Sequence, residues 1–420
     1  MNTLTIEGNI INHDGERRGQ IIIDRNTGLI QEVTEKNGGA DIALKDELIF
    51  PGFGDLHIHA REDQSEKWNY KEDFSSVSQA AISGGVTFAL DLTNGFVPLT
   101  TEAVYRERKA LAEKKAKIDI TLSANIGPET QPFSFPAPYK VFMTASVGPL
   151  FFESKQQLED TLKNYVGQTI NFHCEDPEIL AQHASAATHE ARRPAEAEEK
   201  GIEFALQLIE KYNIKGKICH VTTQKSLEQI VAAKARGINV TCEVTPWHLF
   251  FDESMLTENN RPWLQVNPPI RTAGDRQALL EGLKRGDIDF LATDHAPHTK
   301  EEKLVGTSGL PGLDTYGAFV TWLMCEHGFT PQDIARVCSF NPGNFINPFL
   351  PKNSGLGFGT ITPGYVGSLT IIDMDKKTLI SEANLRTKCG WSPFTGQEFA
   401  GSVKYAIIRG RVYEPTESQI

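Results

Sequence analysis

The spacing of hydrophobic positions changes twice along this chain. Up to about residue 50, short β-rich runs at 4–6, 20–23 and 29–33 alternate with turn residues such as Asn12-His13-Asp14-Gly15, which predicts a small antiparallel sheet. His13 falls in that turn and reads as a solvated loop residue. From Phe53 the pattern becomes strand, loop, helix, repeated. Strands are expected at 54–59, 86–91, 118–122, 139–143, 169–174, 217–221, 239–244 and 289–293, with amphipathic helical runs at 74–83, 102–115, 155–165, 196–212, 226–235 and 276–285. Eight strands alternating with helices predict an α/β architecture closed into a TIM-type (β/α)8 barrel. No Gly-x-Gly-x-x-Gly opens a helix, so a dinucleotide fold has little support. Between the third and fourth strands, Pro128, Pro132, Pro136 and Pro138 argue against a full helix. After Pro351 the period returns to two: stretches at 360–364, 368–374 and 403–412 read as strands. The two termini are therefore expected to combine, residues 1–51 with 352–420, into a small β-sandwich beside a barrel of residues 52–351.

With 420 residues the chain exceeds the usual size of one core, in keeping with a large domain and a smaller companion. Its net charge of -12 argues against nucleic-acid or anionic-membrane partners, which need a basic face, so an anionic substrate would require local positive charge. The six cysteines, Cys174, Cys219, Cys242, Cys325, Cys338 and Cys389, form no Cys-x-x-Cys pair and read as reduced, mostly buried thiols. Neither a signal-like start nor a membrane-spanning run is evident. The expectation is a cytoplasmic protein acting on a small molecule, with a homodimer as its assembly.

Candidate chemistry begins at Gly52-Phe53-Gly54-Asp55-Leu56-His57-Ile58-His59-Ala60-Arg61. On a strand, His57 and His59 point to one side and Ile58 to the other, so two imidazoles can share a metal. Alone, the pair reads equally as chance alternation on a half-buried strand. His173, His220 and Asp294, each at the C-terminal end of a separate predicted strand, change that, because a barrel gathers its chemistry at that face. Four histidines and an aspartate suit zinc first, with manganese, cobalt or iron as alternatives. One ion would not use them all, which points to two. Lys140, at another strand end, reads on its own as a solvent-seeking lysine or a salt-bridge partner; carboxylated by carbon dioxide, it would be an anion able to bridge two ions. His183, His189, His248 and His327 read as surface or packing residues. His295, on the alternate face from Asp294, is not expected to be a ligand.

The fragments His57-Ile58-His59-Ala60-Arg61, His173-Cys174-Glu175-Asp176, His220-Val221-Thr222-Thr223 and Thr293-Asp294-His295-Ala296-Pro297-His298 together resemble the cyclic amidohydrolases, most closely the dihydroorotase family. Arg193-Pro194, Asn267-Pro268-Pro269-Ile270-Arg271, Asn341-Pro342 and Ser392-Pro393-Phe394-Thr395-Gly396 extend the likeness over nearly the whole chain. The resemblance implies a barrel with a flanking sandwich and a two-metal centre, with His57 and His59 on one ion and His173 and His220 on the other. It further implies carboxylated Lys140 as the bridge and Asp294 as both ligand and proton carrier. Arg61, Asn94 and His298 would read a substrate carboxylate; Asn267 and the backbone around Ser308 and Gly309 would contact the ring. The implied activity is reversible closure of N-carbamoyl-L-aspartate to L-dihydroorotate in pyrimidine biosynthesis, with allantoinase or hydantoinase/dihydropyrimidinase chemistry as the alternative. A non-catalytic scaffold should lack ligands, whereas all six positions here hold competent residues. One departure is local: the family often has Arg-Glu-Pro-Gly where this chain has Arg61-Glu62-Asp63-Gln64, which bears on the shape of the first loop.

Overall fold

Four strands open the chain in the computed structural model, which describes residues 2–35, 38–144 and 150–415: β1 (Thr3–Asn12), β2 (Gly15–Asp24), β3 (Leu29–Thr34) and β4 (Ile42–Pro51). In β1, Leu4, Ile6, Gly8 and Ile10 are buried between half-exposed neighbours, the period-two signature of a sheet with one covered face. Gly8 is needed there, since a Cβ would lie 2.8 Å from Ile49 Cδ1 and 3.0 Å from Leu44 Cβ. β1, β2 and β3 are antiparallel neighbours, but β4 runs parallel to β1, so the sheet is mixed where an antiparallel one was expected. Alternation marks the covered face of a strand and is silent about its neighbour's direction.

The barrel strands follow: β5 (Phe53–Ile58), β6 (Val86–Asp91), β7 (Asp119–Leu122), β8 (Ala124–Asn125), β9 (Tyr139–Phe142), β10 (Thr169–His173), β11 (Lys215–Ile218), β12 (Val240–Val244) and β13 (Phe290–Leu291). β7 and β8 form one barrel strand interrupted at Ser123, the first half paired with β6 and the second with β9. Every pairing in the series is parallel. Beyond β13 a parallel bridge from Ile58 to His295 closes the ring. β5, β6 and β9 are buried at every position, as strands covered on both faces must be. The helices at Phe74–Ser83 and Glu102–Lys115 match the predicted ranges, and the other predicted runs are shifted by a few residues at their ends. Helix starts carry side-chain caps such as Asp73, Thr101, Ser154, Thr223 and Thr272, which satisfy first-turn amides. No helix occupies 125–139.

The chain then adds β14 (Leu369–Asp373), β15 (Thr378–Leu379), β16 (Glu398–Phe399), β17 (Ser402–Ile408) and β18 (Arg411–Tyr413). The termini combine as expected, in one seven-stranded sheet ordered β18-β17-β14-β4-β1-β2-β3, with its own core of Leu4, Ile6, Ile21, Ile23, Leu44, Ile49, Leu369, Ile371 and Ile407. The stretch 360–364 is not a strand. Ile361 N–H donates to Asn12 Oδ1 at 2.8 Å, Pro363 has no N–H, and Gly364 turns the chain at φ 90°. Thr370 joins sheet to barrel: its hydroxyl accepts from Phe53 N–H at 2.9 Å and donates to Gly85 O at 2.6 Å. His13 is half-buried rather than solvated and stacks on Phe340, with ring centroids 3.5 Å apart. All six cysteines are unpaired and all but Cys325 are buried. Among the described residues no helix is long and apolar enough to cross a membrane.

Candidate metal centre

β5 does not alternate simply. Its register against β6 shifts between Asp55 and Ile58. Asp55, fully buried, accepts from His57 N–H and from both the backbone and hydroxyl of Thr293. Leu56 therefore joins a small apolar cluster that includes Phe88, Leu90, Cys219 and Phe290, Ile58 joins the main barrel core, and His57 and His59 both face the barrel mouth. Nε2 of each ring lies 3.0 Å from Asp294 Oδ1. Burial opposes charge on both rings. At His57 the carboxylates of Asp294 and Glu243 overcome it and raise the imidazolium well above its ordinary value. At His59 burial prevails and takes the ring down to about 3. Burial also opposes the Asp294 carboxylate, but His57 and His59 hold it well below the carboxylate range.

The second pair comes from β10 and the second residue past β11. His173 Nδ1 and His220 Nε2 are 3.0 Å apart, and burial pushes both rings below their usual values. His173 Nε2 sits 2.9 Å from Glu175 Oε2; a carboxylate only accepts, so the proton belongs on Nε2 and the lone pair on Nδ1 faces His220. This is the arrangement that orients metal-binding imidazoles, a carboxylate behind and a lone pair in front. At His57 Glu243 also stands behind Nδ1, but Nε2 faces the Asp294 carboxylate, so both nitrogens carry protons and an ion there would take the place of the Nε2 proton. Among the described residues His59 Nδ1 and His220 Nδ1 are buried without a partner. The donor set therefore fits divalent ions: two imidazoles and a carboxylate in one group, two imidazoles in the other. Lys140 lines the same cavity. Contrary to a solvent-seeking lysine, it is fully buried, and its Nζ meets Cys219 Sγ at 3.1 Å.

The remaining wall of the cavity comprises Arg61, Asn94, Phe142, Val266, Asn267, Ala296, Ser308 and Gly309. Arg61 is 1% exposed. It donates from Nη1 to Asn94 O at 3.1 Å and approaches His298 Nε2 at 3.4 Å, while its Nε has no partner. Burial takes its guanidinium down to about 10. Asn267 Oδ1 is likewise buried and unpartnered. His298 stands behind Arg61 rather than in the cavity wall, with its Nδ1 near Lys71 Nζ and Glu302 Oε2. Asp63, the departure in the first loop, is buried and accepts from Val97 N–H at 2.8 Å, tying the Arg61 loop to the Asn94 loop. Three site residues adopt left-handed backbone: Arg61 at φ 59°, His220 at 36° and Asp294 at 45°. Such strain costs about 1–3 kcal/mol per residue and gathers at functional sites.

Sequence reasoning missed the layer beneath. Glu243 on β12 is fully buried between His57 Nδ1 and the equally buried Lys217 of β11, whose ammonium also donates to Leu56 O at 2.8 Å. A glutamate and a lysine in two predicted barrel strands were the available signal, since neither is buried without a partner. His295 closes the barrel through its backbone, and its ring serves Glu72 and the amides of Gly312 and Leu313, so it is no ligand. His248 is buried between Thr245 Oγ1 and Pro268 O, a packing role.

Comparison with known proteins adds three findings. Residues 48–413 match the profile of the Amidohydrolase family. Dihydroorotases of Pyrococcus furiosus and Thermococcus kodakarensis are each 32% identical to this chain, covering 94% and 98% of it and 91% and 94% of their own lengths. One from Staphylococcus aureus is 30% identical, covering 96% of this chain and 97% of its own. Among solved structures, the L-hydantoinase (dihydropyrimidinase) of Arthrobacter aurescens superposes with a TM-score of 0.90 over 100% of this chain and 98% of that one, at 24% identity. That likeness is one of fold.

Proposed function

Because the chain belongs to the amidohydrolase family, we propose that its barrel mouth carries out the dihydroorotase reaction, the reversible interconversion of N-carbamoyl-L-aspartate and L-dihydroorotate in pyrimidine biosynthesis. The observation that carries this reading is Arg61. A desolvated guanidinium in the cavity wall, bonded among the described residues to a carbonyl and close to a histidine but in no salt bridge, calls for an anion from outside the protein. Dihydroorotate brings a carboxylate, whereas the rings of hydantoin and dihydrouracil bring none. Asn267, with its free Oδ1, is suited to accept from a ring N–H, and Asn94 and Ser308 complete the polar wall.

In this reading His57, His59 and Asp294 would hold one divalent ion and His173 and His220 the other, with zinc the ion such ligands suit best. Lys140, carboxylated, would be the bridging ligand. Its support is that a fully buried ammonium, which among the described residues meets a thiol and, at 5.0 Å, the Phe142 ring but no carboxylate, is a poor ground state, which conversion to an anion beside bound cations would relieve. When bound, the ions would supply a water ionised near neutral pH and polarise the ring carbonyl. Arg61 fixes the carboxylate and Asn267 the ring edge, so that the amide carbonyl is presented to the histidine groups. In the hydrolytic direction an oxygen of water adds to the carbonyl carbon and its proton passes to an Asp294 carboxylate oxygen. Asp294 then delivers that proton to the ring nitrogen as the C–N bond breaks; biosynthesis reverses each step. Residues 52–351 act as the catalytic barrel, flanked by 1–51 with 352–420. The unpaired cysteines suit a reducing cytoplasm.

A panel of dihydroorotate, allantoin, hydantoin and dihydrouracil, assayed with metal analysis, tests the proposal. Turnover should be strongest on dihydroorotate. A preference for any ring without the carboxylate would overturn the assignment.

A further inference from the structure

Lys303 lies in the short helix Lys300–Leu304 and is fully buried. Its ammonium is met by three backbone carbonyls, Gln265 O at 2.9 Å, Thr307 O at 2.8 Å and Gly309 O at 3.0 Å, with the Trp391 ring 5.6 Å away. Three donors face three acceptors, so the group is saturated. All three carbonyls belong to the two segments that build one wall of the cavity, Gln265 beside Val266 and Asn267, and Thr307 and Gly309 on either side of Ser308. Further bonds join the same segments: Gly309 N–H donates to Gln265 O at 3.0 Å, and Gln265 Nε2 donates to Ser308 Oγ at 3.2 Å and to Gly306 O. Gly309 cannot be replaced freely, because at φ 132° a Cβ would stand 2.7 Å from Ala296 O.

The N–H and the C=O of Gly309 are thus both engaged within the protein. Asn267, whose Oδ1 is unpartnered among the described residues, and the Ser308–Gly309 stretch form the part of this wall that faces the cavity. We infer that Lys303 is a positioning residue for substrate recognition, latching the 265–267 and 306–309 segments together and so setting the gap between Asn267 and Ser308 in which the ring of a cyclic ureide is held. This rests on the dihydroorotase reading for its substrate, and on nothing in the metal groups, which Lys303 does not touch.

The latch predicts a split between binding and chemistry. In the metal-loaded enzyme Lys303→Met removes all three donors at nearly constant volume, and KM for dihydroorotate should rise at least about tenfold while kcat stays within roughly threefold. Metal content per chain should match wild type. Gln265→Ala, at a half-exposed residue, removes only the side-chain ties and should raise KM about threefold. A folded Lys303→Met enzyme with unchanged KM overturns the inference, as does one whose metal content falls in step with its activity. If Lys303→Met does not fold, Gln265→Ala decides: a raised KM supports the latch and an unchanged KM overturns it. Wild type inactive on dihydroorotate would instead fault the substrate assignment, and the same split would then be read on whichever ring of the panel is turned over.

Discussion

Arg61→Met isolates the group to which the proposed function assigns substrate choice. Methionine keeps much of the buried aliphatic stem and loses the charge. Dihydroorotate would lose a charge-assisted contact in a desolvated site, about 2–5 kcal/mol, which is roughly 30-fold to several thousandfold in kcat/KM. The burial of Arg61, 1% exposed, and the lack of a salt bridge to it among the described residues, where Asp294, Asp91 and Glu302 act on it only at longer range, place the effect in the upper part of that range. Stability should move little. The lost bond to Asn94 O is worth about 1 kcal/mol, and it is offset because a desolvated, unpaired cation has been removed. Metal content should not change, as Arg61 belongs to neither ligand group. The assay is steady-state kinetics of wild type and variant on dihydroorotate and dihydrouracil, with elemental analysis and thermal unfolding of both proteins. Substrate-specific damage with metals and fold intact is the expected pattern. A variant that keeps its dihydroorotate kcat/KM within about threefold would falsify the role assigned to Arg61.

Three further perturbations probe the centre itself. Lys140→Ala should lose metal and most activity and regain part of both with short carboxylic acids; wild-type protein that is fully metallated yet has an unmodified lysine amine would refute the carbamate. Asp294→Asn should reduce turnover by about 10²–10⁴-fold with the fold retained, and a variant near wild-type rate would remove Asp294 from the proton path. Glu243→Gln strands the buried Lys217 charge, so unfolding in urea should show a loss of about 3–5 kcal/mol, and metal affinity should fall about 10–100-fold. Adding Lys217→Met should restore stability without restoring metal affinity; recovery of both would mean that Glu243 does not orient His57.

The barrel was legible because its strands and helices differ in period and each strand is bounded by loops, so the eight-fold alternation survives in one dimension. The gathering of His57, His59, His173 and His220 was legible for a related reason: a residue at the C-terminal end of a barrel strand has little choice of surroundings. The parallel course of β4, the turn at 360–364 and the stacking of His13 on Phe340 were not legible, since each depends on a partner distant in sequence.

From the sequence alone follow the strand-and-helix order, the convergence of His57, His59, His173, His220 and Asp294 on one face, and the acidic balance that leaves anion binding to local charge. Tertiary structure alone decided which polar groups lack a partner. Nothing in the order of residues says that Arg61 reaches the cavity without a salt bridge among the described residues, that Lys140 is buried against Cys219 in the cavity lining, or that Glu243 and Lys217 neutralise each other beneath His57. Nor could spacing show that the carbonyls around Ser308 converge on Lys303. The physical reason is that periodicity is set by backbone geometry between near neighbours. Desolvation and charge pairing, by contrast, are set by atoms brought within a few ångströms only when the barrel closes.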